Sequence, residues 1–408
     1  MRTVEEHQKV VAGLISARPP ITVPLADALG LTLADDVVAP LSLPGFDNSA
    51  MDGYAVLAAD VAAASADSPV KLPVAEDIPA GRTDLLTLTP GTAHRIMTGA
   101  MLPSGATAIV PVEATDGATD VVSIFSPSPE GRHIRRAGED VTAGMTVLSA
   151  GEVLSPSALG LAAALGLPEL KVIPRQRVLV LSTGTELVTP GTPLQPGQIY
   201  ESNAVMLAAA LRDAGAEVTT APASSDDVAI FRKTLAGYAE GVDLIITTGG
   251  VSAGAYEVVK DALTGVDPIA GTAGGVEFVK VAMQPGMPQG CGRLGGTVSG
   301  TPIVTLPGNP VSALVSFEVF IRPPLRAAMG LTADRPRRTA TLTETITSPA
   351  GRRQFRRGVL GSDNDVSSYG PPASHHLRWL ATANCLLDID EDVVELAAGS
   401  PVPVWDLS

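Results

Sequence analysis

Aromatic residues are scarce in this chain: Phe, Tyr and Trp make up 3% of its 408 residues, so its cores must be assembled from Ala, Val, Leu and Ile. Positive charge is scarce too. Lys and Arg number 28 against 43 Asp and Glu, a formal net charge of -15, and only six of the cations are lysine. That balance disfavours general nucleic-acid binding, which depends on neutralising phosphates. An anionic ligand would have to be met by a local cluster of donors set against the overall field. Cysteine is limited to Cys291 and Cys385, which form no CxxC or other metal-ligand spacing, so a reduced, cytoplasmic setting is expected. No apolar run reaches the ~18 residues of a membrane span, and FEVFIRPPL is broken by Glu318, Arg322 and two prolines. The opening MRTVEEHQKVVAGLISA has early acidic residues and no continuous apolar core, unlike a signal peptide. No Ser-His-Asp or Cys-His arrangement can be argued, and the adjacent His375 and His376 cannot be placed as a metal pair.

What is present is apolar chain in quantity. Hydrophobic residues reach 45% and charged ones 17%, which suits large cores, and the length exceeds one typical domain. Val4, Val10, Val11, Leu14 and Ile15 fall on one helical stripe. From about 54 to 136, short runs such as VKLPVAEDI, TAIVPVE and DVVSIF alternate with Gly, Pro, Asp and Ser, the signature of an all-β module. SPSALGLAAALG predicts a helix with Ser155 as N-cap, Pro156 at the first position and Gly166 as the stop. From 175 onward RVLVLSTG, AEVTTAPA, DLIITTGG, VEFVKVAM and PIVTLPG read as strands, with SNAVMLAAALRDAG, DDVAIFRKTLAGY and NPVSALVSFEVFIRPPL as helices. Apolar strands alternating with helices predict a doubly wound, mostly parallel α/β domain. The Arg-rich DRPRR looks like a linker into a C-terminal module of short strands. The fold class expected is therefore multidomain α/β: the doubly wound domain, two mainly-β modules and helical linking segments. The boundaries drawn are 1–44 with 138–172 as a discontinuous linking and dimerisation domain, 45–137 as a mainly-β domain, 173–328 as the α/β domain and 329–408 as a C-terminal β domain.

In open α/β sheets ligands bind beyond the carboxyl ends of the strands. Four glycine-bearing loops fall at such ends: STGTEL (182–187), TTGGVSAG (247–254), QPGMPQG (284–290) and LPGNP (306–310). In the last, Asn309 can cap and Pro310 takes the first helical position. The amides near Val311 and Ser312 would then face the loops with the positive end of the helix dipole. That is either an anion cradle or a tight connection with no ligand. TTGGVSAG brings backbone amides within reach of a phosphate through Gly249, Gly250 and Ser252, yet it has neither a Walker lysine nor GxGxxG spacing. Glu186 could hold Mg²⁺ with a water shell, while Glu257 could equally sit on an exposed helix face. Asp47, Asp52, Thr98, Asp140 and the basic run GRRQFRRG are open to structural as well as binding roles.

Taken in order, DNSAMDGYA, RIMTGAMLPSGATAIVPVE, RAGEDV, VLVLSTGTELV, GQIYESNAVML, DLIITTGGVSAGAYEVVK, LPGNPVSALVSFEVFIRPPL, GRRQFRRG and LATANCLLDI resemble the molybdopterin molybdenumtransferase family, which includes the C-terminal domain of gephyrin. The resemblance covers almost the whole chain. It implies an elongated homodimer of four-domain subunits that takes adenylylated molybdopterin and molybdate, uses Mg²⁺, inserts the metal into the dithiolene and releases AMP. It also assigns Asp52, Thr98, Asp140, Glu186, Asp226 or Asp227, and Glu257 to catalysis, with Glu186 and Asp52 at the metal. Gly249, Gly250, Ser252, Lys280, Pro307, Pro310, Ser312, Arg357 and Ser374 are assigned to the substrate or its oxyanion. The sequence departs from the family at Glu257, where Asp is usual, and at Gln284 and Met287, where lysines are common. Each lost ammonium removes a charge-assisted hydrogen bond of roughly 1.5–3 kcal/mol, or about tenfold to a hundredfold in anion affinity; Lys280 or Arg357 would compensate. The alternative implied by the gephyrin likeness is a dimeric scaffold that docks the peptide tail of a cytoskeletal or membrane-receptor protein.

Overall fold

Runs such as RVLVLS, LIITT and PIVTL are apolar on both faces of an extended chain, and such strands need cover on both sides. The computed structural model, which describes residues 1–222, 227–250, 258–264, 275–294 and 300–408, places them at the centre of one sheet. The chain forms two compact units, Met1–Ile21 with Val172–Ser408 and Thr22–Lys171.

In the first unit the sheet is built from β1 (Arg177–Ser182), β2 (Glu217–Thr220), β3 (Leu244–Thr248), β4 (Gly275–Lys280), β5 (Pro288–Arg293) and β6 (Pro302–Leu306), in the order β2-β1-β3-β6-β5-β4. The pairings β1 with β2, β1 with β3, and β3 with β6 are parallel. Those of β5 with β4 and with β6 are antiparallel. Alternate residues of one strand enter different cores. Val178 and Val180 pack with Leu207, Leu211 and Val315 on one face, and Leu179 and Leu181 pack with Phe231, Leu235 and Val259 on the other. The covering helices are α1 (Asn203–Asp213), α2 (Val228–Tyr238), α3 (Val258–Thr264) and α4 (Pro310–Ser316), which runs on through a π-helical turn at Phe317–Ile321.

Strand β5 was not legible in the sequence. Its PQGCGR carries glycine where a strand normally carries bulk, because the neighbours leave no room. A Cβ on Gly290 would lie 2.1 Å from Thr305 Oγ1, and one on Gly292 would lie 1.9 Å from the Gly275 carbonyl oxygen. Because β5 runs against β6, the loop before it still emerges at the carboxyl edge of the parallel strands.

The C-terminal segments form a second six-stranded sheet. Met283–Gln284 pairs with Arg353–Leu360, followed by Asp365–Ser368, Arg337–Leu342, Pro401–Asp406 and Cys385–Ile389. Pairing of Arg353–Leu360 with Cys385–Ile389 closes it into a barrel around Leu342, Val366, Leu387 and Val404. DRPRR is not a free linker: Arg335 reaches the buried Glu318 at 3.0 Å, and the Arg337 guanidinium lies 4.5 Å from the centre of the Trp405 ring. In the second unit a five-stranded sheet of 108–111, 53–56, 93–96, 70–78 and 121–124 surrounds Tyr54, Val56, Val110 and Ile124. The helix Pro156–Ala164 starts as expected, with Ser155 Oγ accepting from the Ala158 amide at 3.2 Å.

The N-terminal helix Val4–Ala12 opens with a reciprocal cap between Thr3 and Glu6. Its buried stripe is Val4, His7 and Val11, whereas Val10, expected on that stripe, is exposed. His7 meets the Phe320 ring edge-on at 4.7 Å, and its Nε2 has no partner among the described residues. Burial, aided by Arg2, pushes its pKa from 6.5 down to about 4. The unfolded chain therefore binds the proton between those values and the folded chain does not. The contribution is intact at neutral pH and lost as pH falls through the window, on the order of 3 kcal/mol in full. We expect the urea midpoint of this unit to drop between about pH 7 and 4.5, and His7→Leu to flatten that slope.

Candidate functional site

A parallel sheet aims the loops that follow its strands at one edge, and three of them are tied together there by backbone. The Thr183 amide donates to Thr248 O at 3.0 Å and the Gly249 amide to Leu306 O at 3.1 Å. Gly249, at φ +90°, passes so close to the first loop that a Cβ would lie 2.7 Å from Thr183 O. Only glycine meets both conditions. The loops open onto a cavity of about 1060 Å³ whose lining includes Glu186, Glu201, Gly249, Gly250, Gln284, Met287, Pro307, Pro310, Ser312, Ser374 and His375.

The remaining walls are held by side chains. Asn203, at the start of α1, donates through Nδ2 to Gly308 O at 2.7 Å. Ser202, the residue that precedes that helix, makes no side-chain capping bond. Glu201 caps instead: its Oε1 accepts from the Ala204 amide at 2.7 Å and from Ser182 Oγ at 2.8 Å. Ser182 Oγ also lies 3.1 Å from Thr248 Oγ1. Gln289 Nε2 donates to Gly286 O at 2.6 Å and Ser316 Oγ at 2.7 Å, fixing the loop before β5 to the end of α4. Glu201, Asn203 and Gln289 escaped the sequence reading because each works through a partner remote in the chain.

The turn into α4 departs from expectation in two respects. Asn309 does not cap: its Nδ2 donates to Ser374 Oγ at 2.9 Å. The Val311 amide is not free, since it donates to Ser374 O at 3.1 Å. The Ser312 amide has no acceptor among the described residues, and Ser312 lines the cavity. Pro307, Pro310, Ser312 and Ser374 thus belong to one wall, as expected.

The cations assigned to an oxyanion, Lys280 and Arg357, are not among the residues that line the cavity. Arg357 is 4% exposed and donates to His376 O at 2.8 Å and to Pro371 O, so it braces the loop that carries Ser374. Lys280 is an exposed residue of β4 outside the cavity lining. Within GRRQFRRG, Arg353 grips Asp388 through two 2.7 Å bonds and Arg356 donates to Ser368 Oγ at 2.6 Å. Three of the four arginines of the cluster, Arg353, Arg356 and Arg357, are thus engaged internally. Asp227 accepts from the Ile230 amide at 2.9 Å as the N-cap of α2, a structural role. Asp226, Ser252 and Glu257 lie outside the described residues.

Glu186 sits where a cation could use it. Its Oε2 would lie 2.6 Å from a Cβ on Gly184, and the carboxylate borders open cavity. No cluster of three or more His, Cys, Asp or Glu side chains with metal-holding geometry occurs among the described residues. That excludes a closed cage among them but fits Mg²⁺, which binds through one or two carboxylates plus ligand phosphates and water.

In the second unit, two other expected residues meet. Asp52 Oδ1 accepts from the Thr98 amide and from Thr98 Oγ1, both at 2.7 Å. These two donors hold the exposed carboxyl below its usual range. Asp47 is held down in the same way by the Ala137 amide at 2.8 Å and by Arg136. Asp140 is exposed, and its carboxylate has no hydrogen bond among the described residues.

The chain matches three family models: the MoeA N-terminal region (domain I and II) over residues 2–166, a "probable molybdopterin binding domain" over 179–327, and the MoeA C-terminal region (domain IV) over 339–407. It is 68% identical over 410 residues to molybdopterin molybdenumtransferase 2 of Mycobacterium tuberculosis, covering 100% of both chains. It is 38% identical to molybdopterin molybdenumtransferase 1 of that organism, covering 99% of this chain and 98% of the other. A solved molybdopterin biosynthesis MoeA protein from Pyrococcus horikoshii superposes with a TM-score of 0.72 at 27% identity, covering 100% of both chains. Another MoeA structure from the same genus reaches a TM-score of 0.81 at 29% identity, covering 100% of this chain and 99% of that one.

Two outcomes test this geometry. Gly249→Ala should lower stability by about 1–3 kcal/mol, since it forces a side chain into a left-handed backbone against Thr183, read by thermal melting. Thr98→Val keeps the amide donor but loses the hydroxyl, so the Asp52 carboxyl should titrate higher, toward but short of its ordinary range, by carbon-detected NMR.

Proposed function

The chain belongs to the molybdopterin molybdenumtransferase family, and we propose that its cavity carries out Mg²⁺-dependent insertion of molybdate into adenylylated molybdopterin with release of AMP. The observation that supports this reading is the convergence of four glycine-bearing loops, two carboxylates and a helix-start amide without an acceptor among the described residues on one cavity. Its volume suits a ligand larger than a single nucleotide base. The backbone at Gly250 and Ser312 supplies fixed neutral dipoles for phosphate or oxyanion oxygens, already organised before the ligand arrives. Glu186 would be an oxygen donor to Mg²⁺, and the ion would supply charge neutralisation for the phosphoanhydride. Asn203, Gln289 and Arg357 hold the walls in register. Asp52, whose pKa is lowered by its bonds from Thr98, and Asp140 are assigned to catalysis by the resemblance alone.

The four-part division given by the sequence, a homodimer and a cytoplasmic setting are part of the same proposal. No helix among the described residues is long and apolar enough to cross a membrane. The gephyrin-like scaffold reading is favoured by one feature, the lack of Lys and Arg among the described residues that line the cavity. Saturable binding of a receptor-tail peptide without AMP release would select it.

With adenylylated molybdopterin, molybdate and Mg²⁺ supplied, AMP release is expected from the wild-type chain and a loss of at least about a hundredfold from Glu186→Gln. Release no faster than that of Glu186→Gln would overturn the reading.

A further inference from the structure

The cavity has a charge pattern unusual for a site that receives phosphates. Its lining contains the carboxylates of Glu186 and Glu201 and no Lys or Arg; the single base is His375, an exposed residue. The residues outside the described set do not alter this, because none of 223–226, 251–257, 265–274 or 295–299 is Lys or Arg. Lys280 stands outside the lining, and the Arg357 guanidinium is committed to two backbone carbonyls. A bare anion entering this cavity would be stripped of water beside carboxylates, with only neutral donors to receive it.

One neutral donor on the wall is held in place by a buried neighbour. Gln284 pairs in register with Gln354 across the strand Met283–Gln284. Gln354 is 3% exposed and donates through Nε2 to Gln284 Oε1 at 3.1 Å. With its oxygen engaged, Gln284 is left with its NH₂ as the end that can serve a ligand. The arrangement is retained although Gln354 Oε1 is buried without a partner among the described residues. Beside the pair is a space of about 10 Å³ lined by Gln284, Gln354, Arg357 and Ala373, about enough for one water and too small for a ligand.

We infer that Gln284, positioned by Gln354, sets the specificity of this cavity: it takes a phosphoanhydride anion together with a divalent cation and rejects the bare anion. The inference rests on the reading of the cavity as a nucleotide-linked phosphate site. The cation neutralises the carboxylates and the ligand at once, and the Gln284 amide, carrying no charge, cannot do so in its absence. Cation and anion must then raise each other's affinity by the same factor.

The test is isothermal titration of the full-length chain with ADP as a phosphoanhydride probe, in excess Mg²⁺ or in EDTA, at mildly alkaline pH where imidazoles are neutral. Wild type should bind ADP with Mg²⁺ and about a hundredfold or more weakly in EDTA. Gln284→Lys should gain about tenfold or more in EDTA and little with Mg²⁺, because an ammonium replaces part of what the cation supplies. Gln284→Arg repeats the test with a differently shaped cation. Gln354→Leu should weaken Mg²⁺-dependent binding several-fold in the wild-type background and not beside Gln284→Lys, a coupling that general loss of structure would not produce. Wild-type binding in EDTA within about threefold of that in Mg²⁺ would overturn the inference, and so would Gln284→Lys and Gln284→Arg chains that fold normally yet gain nothing in EDTA. Those results leave AMP release untouched, so failure of the inference is separable from failure of the functional reading.

Discussion

The close approach of backbone to backbone at the carboxyl edge of the parallel sheet is the constraint on which the candidate site depends. Thr183, Gly249 and Leu306 belong to three strands whose ends must meet within hydrogen-bonding distance. They can do so because Gly249 carries no side chain to hold Thr183 away. The turn Pro307–Pro310 then has a fixed place to stand, and Ser312 presents its amide to the cavity. Rigidity here comes from main chain, which is why so few charged groups are needed to shape so large an opening.

The same economy of charge gives the site its chemistry. In many phosphate sites a lysine or arginine provides both attraction and position. Here the arginines nearest in sequence to the C-terminal motif are turned inward: Arg353 to Asp388, Arg356 to Ser368, Arg357 to the carbonyls of Pro371 and His376. They build the barrel and brace the loop bearing Ser374. What faces the cavity among the described residues is carboxylate, amide, hydroxyl and the His375 imidazole, a set that includes oxygen donors of the kind a hard cation uses.

Polar side chains, the half-buried Glu201 and the buried Gln289 and Gln354, do the joining. Glu201 ties Ser182 to the first turn of α1, Gln289 ties the loop before β5 to α4, and Gln354 ties Gln284 to the barrel. Each is a short bond between segments distant in sequence, and each fixes a wall to within a hydrogen bond's tolerance. In the other unit, Asp52 and Thr98 make a pairing that lowers the pKa of one exposed carboxyl.

By itself the sequence determined the elements whose signals are local. The period of apolar residues marked β1, β3, β6 and the covering helices, the Ser155–Pro156 start was readable from two residues, and the glycine loops fell where a parallel sheet would gather them. Tertiary structure alone decided the rest. Strand β5 was hidden because its glycines answer to Thr305 and Gly275 across the sheet, and Asn309 and Val311 turned to Ser374 instead of to their own helix. Arg357, and Asp227 of the pair Asp226 or Asp227, have in the fold the hydrogen bonds of a loop brace and a helix cap, which no local pattern announced. Periodicity is a property of neighbours along the chain, whereas the fate of a polar side chain is settled by whichever donor or acceptor folding brings within about 3 Å.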